Sequence, residues 1–331
     1  MDKPTLRTIA QATGLALTTV SRALSDDPKI AQATRERVAR VAREVGYVPD
    51  RAAQRLRTGR TNVIAIVLSP HEEIIGFRGS LIAGIGDALE GTRFHISMIP
   101  YATRSGVMAP VEHIVRNRLA DGLVFARTSP DDPRARYLMD AGFPFVSHGR
   151  TALGNAHPWC DYDNAAFARV AVARLASRGR RRIFLVQPPQ GFTFATHMVD
   201  GFTEAAARAG IAALRDPAVT LATPADRTNA FVTDLMASPG APDGFICPGE
   251  VAAMAVLAAL SDLGLRVGHD VDVIAKQTSA VFDQFRPRID TIYEDLRGAG
   301  RLLGGLLLRR IAGEAPEALN ALMQPEPLFR L

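Results

Sequence analysis

The chain has 331 residues, 47% hydrophobic and 22% charged, which is typical of a soluble globular protein large enough for two or three domains. It contains no apolar run long enough to span a membrane, and its start, MDKPTLRT, lacks the apolar segment of a secretion signal. We therefore expect a cytoplasmic protein with no membrane contact. The two cysteines, Cys160 and Cys247, are too few for a disulfide framework.

Positive charge is concentrated at one end of the chain. Residues 1–60 contain 12 Lys and Arg against 6 acidic residues. The formal net charge of the whole chain is only +5, so the remaining residues carry a net charge of −1. A basic segment on a nearly neutral body indicates a nucleic-acid-binding head.

The first 24 residues predict two short helices joined by a glycine. Apolar residues recur at helical spacing over Leu6–Thr13, and Gly14 then permits a left-handed turn. A second helix is predicted over Leu17–Leu24. This is the pattern of a helix-turn-helix motif, whose second helix enters the major groove of DNA.

The outward face of the second predicted helix presents Leu17, Thr18, Ser21 and Arg22. An arginine can pair bidentately with guanine, hydroxyl groups suit bases or phosphates, and an apolar Leu17 suits a thymine methyl group. We therefore expect this face to read DNA.

A third helix, predicted over Ala31–Val45, closes a three-helix bundle. Asp50 can then cap a short helix over Arg51–Thr58. A helix of that length is marginal alone in water, so we expect it to form when paired with its dimer mate on DNA. Leu56 in this segment suits a wedge between base steps of the minor groove, and a plain flexible linker is the alternative.

The motifs TVSRAL, TRERV, GYVPDRAAQRLRTGRTN and VIAIVL resemble the lactose-repressor/gal-repressor (LacI/GalR) family of bacterial transcriptional regulators, and the similarity covers essentially the whole chain. By this resemblance, the base-reading positions are Leu17, Thr18 and Arg22. The positions that contact the DNA backbone are Ser21, Thr34 and Tyr47. The positions that enter the minor groove are Ala53 and Leu56.

The head departs from the family pattern at two helix starts. Ala16 and Ala31 stand where relatives usually carry serine. Each change removes a side-chain N-cap worth about 1 kcal/mol, and Ala16 also removes a phosphate donor. We expect weaker DNA binding than is typical of the family, with the fold unchanged.

From residue 62 the pattern changes to short apolar strands that alternate with helices. The predicted strands are Val63–Leu68, His95–Ile99, Gly122–Phe125, Pro144–Ser147, Arg182–Val186, Gly244–Cys247 and Val271–Ala275. The predicted helices include Ser80–Leu89, Val111–Arg118, Asn164–Ser177, Val199–Ala209 and Val251–Leu263. Such alternation indicates parallel sheets that are covered on both faces.

The predicted fold is an all-α helix-turn-helix DNA-binding head plus a hinge helix, joined to a two-lobed α/β sensor domain. The resemblance implies a sensor like the periplasmic sugar-binding proteins, with three crossovers between its lobes. The expected bounds are 1–49 for the head, 50–60 for the hinge helix and 61–331 for the sensor. Within the sensor, the N-lobe takes about 61–160 and 291–322, and the C-lobe about 161–290 and 323–331.

Ligands of parallel sheets bind beyond the carboxyl ends of the strands, so polar and aromatic residues there are candidates for an effector site. These residues are Glu73, Phe77, Arg127, His148, Arg150, Trp159, Asp161, Phe194, His197, Glu250, Lys276 and Gln277. Aromatic faces with carboxylates, amides and cations suit a carbohydrate, and a purine or a phosphorylated metabolite is the alternative. Relatives often carry an arginine at Met198 and an aspartate near Gln277, so the particular sugar stays open.

Motifs of common enzyme classes are missing from the sequence. HEEII lacks the second histidine of a zinc site, and neither GxxxxGK[ST] nor GxSxG occurs. We therefore expect no catalytic residue, metal or cofactor.

These features predict a ligand-responsive transcriptional repressor of carbohydrate uptake or catabolism genes. It should bind a near-palindromic operator in double-stranded DNA as a homodimer, because one head reads only half a site. Prolines in PEALNALMQPEPLFRL interrupt any long C-terminal helix, which favours a dimer over a tetramer. The alternatives are a transporter-associated solute-binding protein, disfavoured by the basic head, and a sugar-modifying enzyme.

Overall fold

The computed structural model describes residues 4–48, 59–68, 74–99, 106–154 and 156–331. They divide into two units, the head (Met1–Thr61) and the body (Asn62–Leu331). The predicted hinge helix with Ala53 and Leu56 lies outside the described residues, as does Glu73.

The described residues of the head form three helices, α1 (Leu6–Thr13), α2 (Leu17–Leu24) and α3 (Gln32–Glu44). Gly14 has φ 68°, the left-handed conformation that turns the chain from α1 into α2. Ile9, Val20 and Val38, one from each helix, form a fully buried core. The helix-turn-helix prediction is confirmed, and α3 is one residue shorter at each end than expected.

Two helices of the head begin without a side-chain cap. Ala16 and Ala31 are the N-cap residues of α2 and α3, and neither offers a hydrogen-bond acceptor in its side chain. The end of α1 is better satisfied, because Arg37 Nη2 donates to the Thr13 carbonyl oxygen at 2.8 Å.

Two six-stranded sheets build the body. The first contains β1 (Val63–Val67), β2 (His95–Met98), β3 (Gly122–Ala126), β4 (Phe145–His148), β5 (Trp159–Tyr162) and β11 (Asn320–Met323). Its order is β11-β5-β4-β3-β1-β2, with parallel pairing throughout. The second contains β6 (Arg182–Leu185), β7 (Ala212–Leu214), β8 (Gly244–Cys247), β9 (Asp272–Gln277), β10 (Asp290–Tyr293) and β12 (Glu326–Leu328). Its order is β12-β10-β9-β8-β6-β7, and β12 pairs antiparallel with β10.

Eight helices of the described chain flank these sheets. They are α4 (Phe77–Leu89), α5 (Met108–Arg116), α6 (Pro133–Asp140), α7 (Asn164–Ser177), α8 (Thr193–Ala209), α9 (Ala225–Ala237), α10 (Glu250–Asp262) and α11 (Leu296–Ile311). Short 3-10 helices cover Val281–Asp283 and Pro316–Ala318. Among the helices of these described segments, none is both long and apolar enough to cross a membrane.

Strand β1 shows why the strands read as continuous apolar runs. Ile64 and Ile66 pack into one core cluster with α4 and α11, whereas Ala65 and Val67 pack into another with α5 and α6. Successive side chains of a strand point to opposite faces, so both faces of this sheet are buried.

Helices α4 and α11 pack at very short distance through glycines. A Cβ atom on Gly300 would lie 2.3 Å from the Leu81 carbonyl oxygen, and one on Gly84 would lie 2.0 Å from the Arg297 carbonyl oxygen. Any side chain at these two positions would force the helices apart.

The chain passes between the two sheets three times, between Tyr162 and Asn164, between Tyr293 and Leu296, and between Met323 and Glu326. We call the first sheet with α4, α5, α6 and α11 lobe one, and the second sheet with α7 to α10 lobe two. The expected lobe boundaries fall inside β5, β10 and β11, because each strand completes its pairing before the chain crosses.

Candidate functional site

The exposed face of α2 carries the four side chains that the sequence assigns to DNA recognition. Leu17 is 45% exposed, Thr18 and Arg22 are exposed, and Ser21 is half-buried. Arg22 Nε lies 3.9 Å from Asp27 Oδ2, and its side chain is 64% exposed. This long ion pair at a solvated surface is weak, so a guanine could displace the carboxylate.

The two other described DNA-binding candidates of the head lie at the ends of α3. Thr34 is half-buried in the first turn of α3. Tyr47 packs against the core of the head beyond the end of that helix, where its N–H donates to the Ala42 carbonyl oxygen at 2.8 Å. The ring of Tyr47 therefore has a structural role as well as its proposed one.

In the body, the carboxyl ends of the parallel strands of both lobes meet around one cavity. Leu68 follows β1, Arg127 follows β3, His148 ends β4 and Pro248 follows β8. This is the position at which parallel sheets bind ligands. Six of the predicted effector residues line the cavity, namely Phe77, Arg127, His148, Asp161, Phe194 and Lys276.

Lys276 makes an ion pair, a hydrogen bond and a cation–π contact within the site. It is 4% exposed, and its Nζ lies 2.8 Å from Glu294 Oε2 and 3.0 Å from Asn164 Oδ1. The ammonium group also lies 4.2 Å from the centre of the Tyr162 ring. Burial raises the pKa of Tyr162, so its phenol is neutral. The buried charge of Lys276 is thus compensated by Glu294 and Asn164, which lie at two of the three places where the chain passes between the sheets.

Arg150 contacts three other predicted residues, one of which, Asp161, lines the cavity. Its Nε donates to Asp161 Oδ2 at 2.7 Å, and its guanidinium lies 5.6 Å from the centre of the Trp159 ring. Its Nη2 lies 3.3 Å from His197 Nδ1. Burial, reinforced by the Arg150 charge, lowers the pKa of His197, so the imidazole is neutral. An arginine can only donate, so His197 Nδ1 accepts and its proton is on Nε2. Arg150, Trp159 and His197 do not themselves line the cavity.

Aromatic rings form part of the cavity lining. Phe77 meets the His148 ring edge-on at 5.4 Å between centroids, and burial lowers the pKa of His148. Phe194 stacks on Phe192 at 5.7 Å, and the Arg127 guanidinium lies 4.5 Å from the centre of the Phe192 ring. The cavity therefore offers flat apolar surfaces next to the carboxylate of Asp161.

Glu250 and Gln277 are not brought to the cavity, although the sequence proposed both as effector residues. Glu250 is fully buried and hydrogen-bonded to protein groups around Thr278. Gln277 is 4% exposed, and its Oε1 accepts a hydrogen bond from Thr291 Oγ1 at 2.7 Å and lies 3.3 Å from Arg330 Nη2. Their polar atoms are committed to neighbours distant in sequence.

The cavity also contains residues that the sequence reasoning missed. The polar ones are Thr128, Tyr162, Asn164 and Glu294, and the larger apolar ones are Leu68, Ile74, Met198 and Leu221. Tyr162 and Asn164 lie one and three residues after the predicted Asp161, so the strand-end rule applied over three further residues would have found them. Glu294 follows β10, a strand that was not predicted.

The described residues contain no group of three or more His, Cys, Asp or Glu arranged to hold a metal ion. Both cysteines are buried and free. Burial raises the pKa of Cys160 to about 12, so its thiol stays protonated and is a poor nucleophile.

Comparison with known proteins identifies both parts of the chain. Residues 5–50 match the family model of bacterial regulatory proteins of the lacI family, and residues 172–330 match that of a periplasmic binding protein-like domain. The HTH-type transcriptional regulator CelR of Thermobifida fusca is 30% identical over 99% of this chain and 98% of its own. AglR of Rhizobium meliloti is 31% identical over 94% of this chain and 90% of its own.

Solved structures agree with this similarity. A complex of the transcriptional regulator CelR with cellobiose superposes with a TM-score of 0.71 and 27% identity, covering 99% of both chains. A lac repressor dimer bound to operator and the anti-inducer ONPF has a TM-score of 0.82 at 22% identity and covers 99% of this chain and 98% of its own, which supports the fold. The predicted fold class is confirmed. The chain belongs to the lacI family of bacterial regulatory proteins, and it is a DNA-binding transcriptional regulator rather than an enzyme.

Proposed function

We propose that this regulator represses carbohydrate uptake or catabolism genes and that a small sugar in the cavity between the lobes controls its DNA binding. One observation carries the proposal. The chain aligns over 99% of its length with a regulator solved in complex with cellobiose, and its own strand ends meet at a cavity lined by aromatic rings and carboxylates.

The cavity chemistry favours a neutral sugar. Phe77 and Phe194 can cover the apolar face of a sugar ring, while Asp161 and Glu294 can accept hydrogen bonds from its hydroxyl groups. Lys276 is already engaged by Glu294 and Asn164. The lining thus sets two carboxylates, Asp161 and Glu294, against two cations, Arg127 and Lys276, and offers no net positive charge to a phosphorylated metabolite, which disfavours that alternative effector.

The DNA-binding half of the proposal rests on the α2 face. One head presents Leu17, Thr18, Ser21 and Arg22 to one half-site, so a homodimer on a near-palindromic operator doubles the contacts. By the family resemblance, Thr34 and Tyr47 are proposed to hold the DNA backbone, and Ala53 and Leu56 to enter the minor groove.

The test combines operator selection with an effector screen on the full chain. Selection from fragmented genomic DNA should enrich a near-palindromic sequence. Thermal shift should then be measured against cellobiose, raffinose, nucleosides and sugar phosphates, followed by operator titration with each compound that binds. We expect a neutral sugar to change operator affinity about 5- to 150-fold, the usual range of allosteric coupling. If nucleosides or sugar phosphates bind and no neutral sugar does, the sugar assignment is wrong. If selection enriches no DNA sequence, the proposed operator binding is wrong.

A matched pair of variants assigns the site. Asp161→Asn removes a buried carboxylate that lines the cavity, whereas Asp200→Asn removes an exposed carboxylate of α8. The first should weaken sugar binding at least about tenfold, the loss of a hydrogen bond to a charged group, and the second should leave it unchanged. Equal sugar affinities in the two variants would exclude this cavity as the effector site.

A further inference from the structure

The side chain of Glu250 forms a buried hydrogen-bonded cluster. Glu250 begins α10 and is fully buried. Its Oε1 accepts from the backbone N–H groups of Thr278 and Ser279, both at 3.0 Å, and from Ser279 Oγ at 2.8 Å. These donors all belong to lobe two, in the segment that follows β9. They compensate the cost of burying the carboxylate without help from lobe one.

The second carboxylate oxygen of Glu250 reaches across to lobe one. Its Oε2 accepts from the backbone N–H of Ile75 at 2.9 Å, and Ile75 lies two residues before the start of α4 in lobe one. Thr278 Oγ1 lies 3.0 Å from the same Oε2 and 3.1 Å from the Ile75 carbonyl oxygen. The single proton of this hydroxyl can go to either oxygen, so lobe two binds the N–H of Ile75 and places a donor within reach of its C=O.

This contact adjoins the cavity. Ile74, next in the chain to Ile75, lines the cavity, as does Lys276, two residues before Thr278. Moving the lobes apart would break the two contacts to Ile75, whereas the bonds from Thr278 N, Ser279 N and Ser279 Oγ to Glu250 would remain. The carboxylate would stay satisfied in either arrangement, so the contact can open reversibly.

We propose that Glu250 and Thr278 form an interlobe latch that holds the lobes closed over the cavity and sets the balance between closed and open lobes. The role of this balance in regulation rests on the proposed effector site. Other contacts also cross between the lobes, among them Thr193 N to the Thr128 carbonyl oxygen at 2.9 Å, Arg150 to His197, and the Arg127 guanidinium over the Phe192 ring. The latch therefore contributes to closure and does not determine it alone.

Thr278→Val and Ser279→Ala make a matched pair for the test. Each removes one hydroxyl group that lies within 3.0 Å of a Glu250 oxygen, but only the Thr278 hydroxyl also contacts lobe one. Thr278→Ser retains the hydroxyl and serves as the rescue. All three substitutions leave the cavity lining intact.

Interlobe distances in the ligand-free full chain give the readout. Spin labels can be placed at Glu90→Cys in lobe one and Asp262→Cys in lobe two, both exposed sites, because Cys160 and Cys247 are buried. Pulsed electron paramagnetic resonance should detect a population with a longer distance between the labels, in which the lobes are open. We expect this population to be about fivefold to tenfold larger in Thr278→Val than in the parent, the effect of losing one neutral hydrogen bond. Ser279→Ala and Thr278→Ser should keep the distribution of the parent. Identical distributions in Thr278→Val and Ser279→Ala would overturn the latch.

Hydrogen exchange in the unsubstituted protein tests the latch without any variant. Lobe opening frees the Ile75 amide, while the Thr278 and Ser279 amides remain bonded to Glu250. We therefore expect the Ile75 amide to exchange at least about tenfold faster than the other two, through an opening smaller than global unfolding. Equal exchange of all three amides at the global rate would contradict the latch. Neither measurement uses a sugar, so failure of the latch and failure of the proposed effector site are distinguishable.

Discussion

At the scale of single residues, Arg22 is the side chain that the helix-turn-helix motif commits most strongly to recognition. It is exposed on α2, and its contact with the Asp27 carboxylate is long at 3.9 Å. Arg7 lies exposed on the preceding helix and carries the same charge. Substituting each arginine in turn therefore distinguishes a contact that reads bases from general attraction to the phosphate backbone.

We expect Arg22→Ala to weaken binding to the selected operator by about 1–3 kcal/mol, the value of a bidentate base contact, with a smaller loss on scrambled DNA. Arg7→Ala should lower both affinities by a similar factor. Fluorescence-anisotropy titrations at a fixed salt concentration measure the ratio of the operator affinity to the scrambled-DNA affinity. A specificity ratio that survives Arg22→Ala would show that Arg22 does not read bases.

The uncapped start of α2 makes a second residue-scale prediction. Ala16 precedes α2 and offers no acceptor to its first N–H groups. Ala16→Ser should raise the free energy of unfolding of the head by about 1 kcal/mol. Ala12→Ser, within α1 at an exposed position, should not, because serine is a weaker helix former than alanine. Urea denaturation followed by circular dichroism measures both, and equal shifts would refute the capping argument.

At the scale of elements, the pairing of α4 with α11 depends on the absence of side chains at the contact. Gly300→Ala places a methyl carbon 2.3 Å from the Leu81 carbonyl oxygen, whereas Gly305→Ala on the same helix meets nothing within 4 Å. We expect the first to destabilise the body by about 1–3 kcal/mol. The second should stabilise it by about 0.5–1 kcal/mol, because alanine restricts the unfolded chain.

Thermal unfolding of the two alanine variants provides the comparison. The helix propensity change is the same in both, so the difference between their melting temperatures isolates the steric contact. Similar melting temperatures would mean that the two helices separate at little cost.

The elements also show what the sequence can predict. The bounds of α1, α2 and α7 match the prediction, because apolar spacing and end signals coincide there. Strands β5, β7, β10, β11 and β12 were not predicted. A four-residue strand such as β8 (GFIC) was predicted because it is a continuous apolar run. By contrast, β5 (WCDY) and β10 (DTIY) mix apolar with polar residues over a length too short for period-two patterning to be detected.

The candidate site divides in the same way. Strand-end reasoning found six residues that line the cavity, because the ends of parallel strands share one edge of each sheet. It could not foresee that Arg330, 53 positions away, would reach Gln277, or that Glu250 would be held by Thr278 and Ser279. Such long-range hydrogen bonds depend on the completed fold.

At the scale of the whole molecule, buried histidines couple stability to pH. Burial lowers the pKa of His148, His157 and His197 below the ordinary value. His157 is fully hydrogen-bonded as the neutral ring, since Nδ1 must donate to the Pro158 carbonyl oxygen and Nε2 must accept from Thr151 Oγ1. Protonation would turn Nε2 into a donor, so the Thr151 hydroxyl could no longer donate to it and would have to rotate to accept.

We expect the protein to lose stability as the pH falls. Below about pH 6.5 the unfolded chain binds protons at these histidines while the folded chain does not. The free energy of unfolding therefore decreases as the pH falls, until the pH also passes the pKa values of the folded state. Urea denaturation at pH 8, 6.5 and 5.5 measures this. His157→Gln should reduce the dependence, and equal stability at pH 8 and 5.5 would contradict it.

The three passages between the lobes govern the order in which the protein can be completed during synthesis. Lobe one is the first part of the body to leave the ribosome, yet α11 and β11, which close its sheet and cover its core, lie beyond residue 295. The nascent chain must therefore keep an unfinished first lobe in solution while the second forms. Translation stopped after Tyr293 would leave the second lobe with most of its sheet, but the first lobe with an open sheet edge and an exposed apolar surface. Chaperones and proteases should recognise such a product, which would have no partial function.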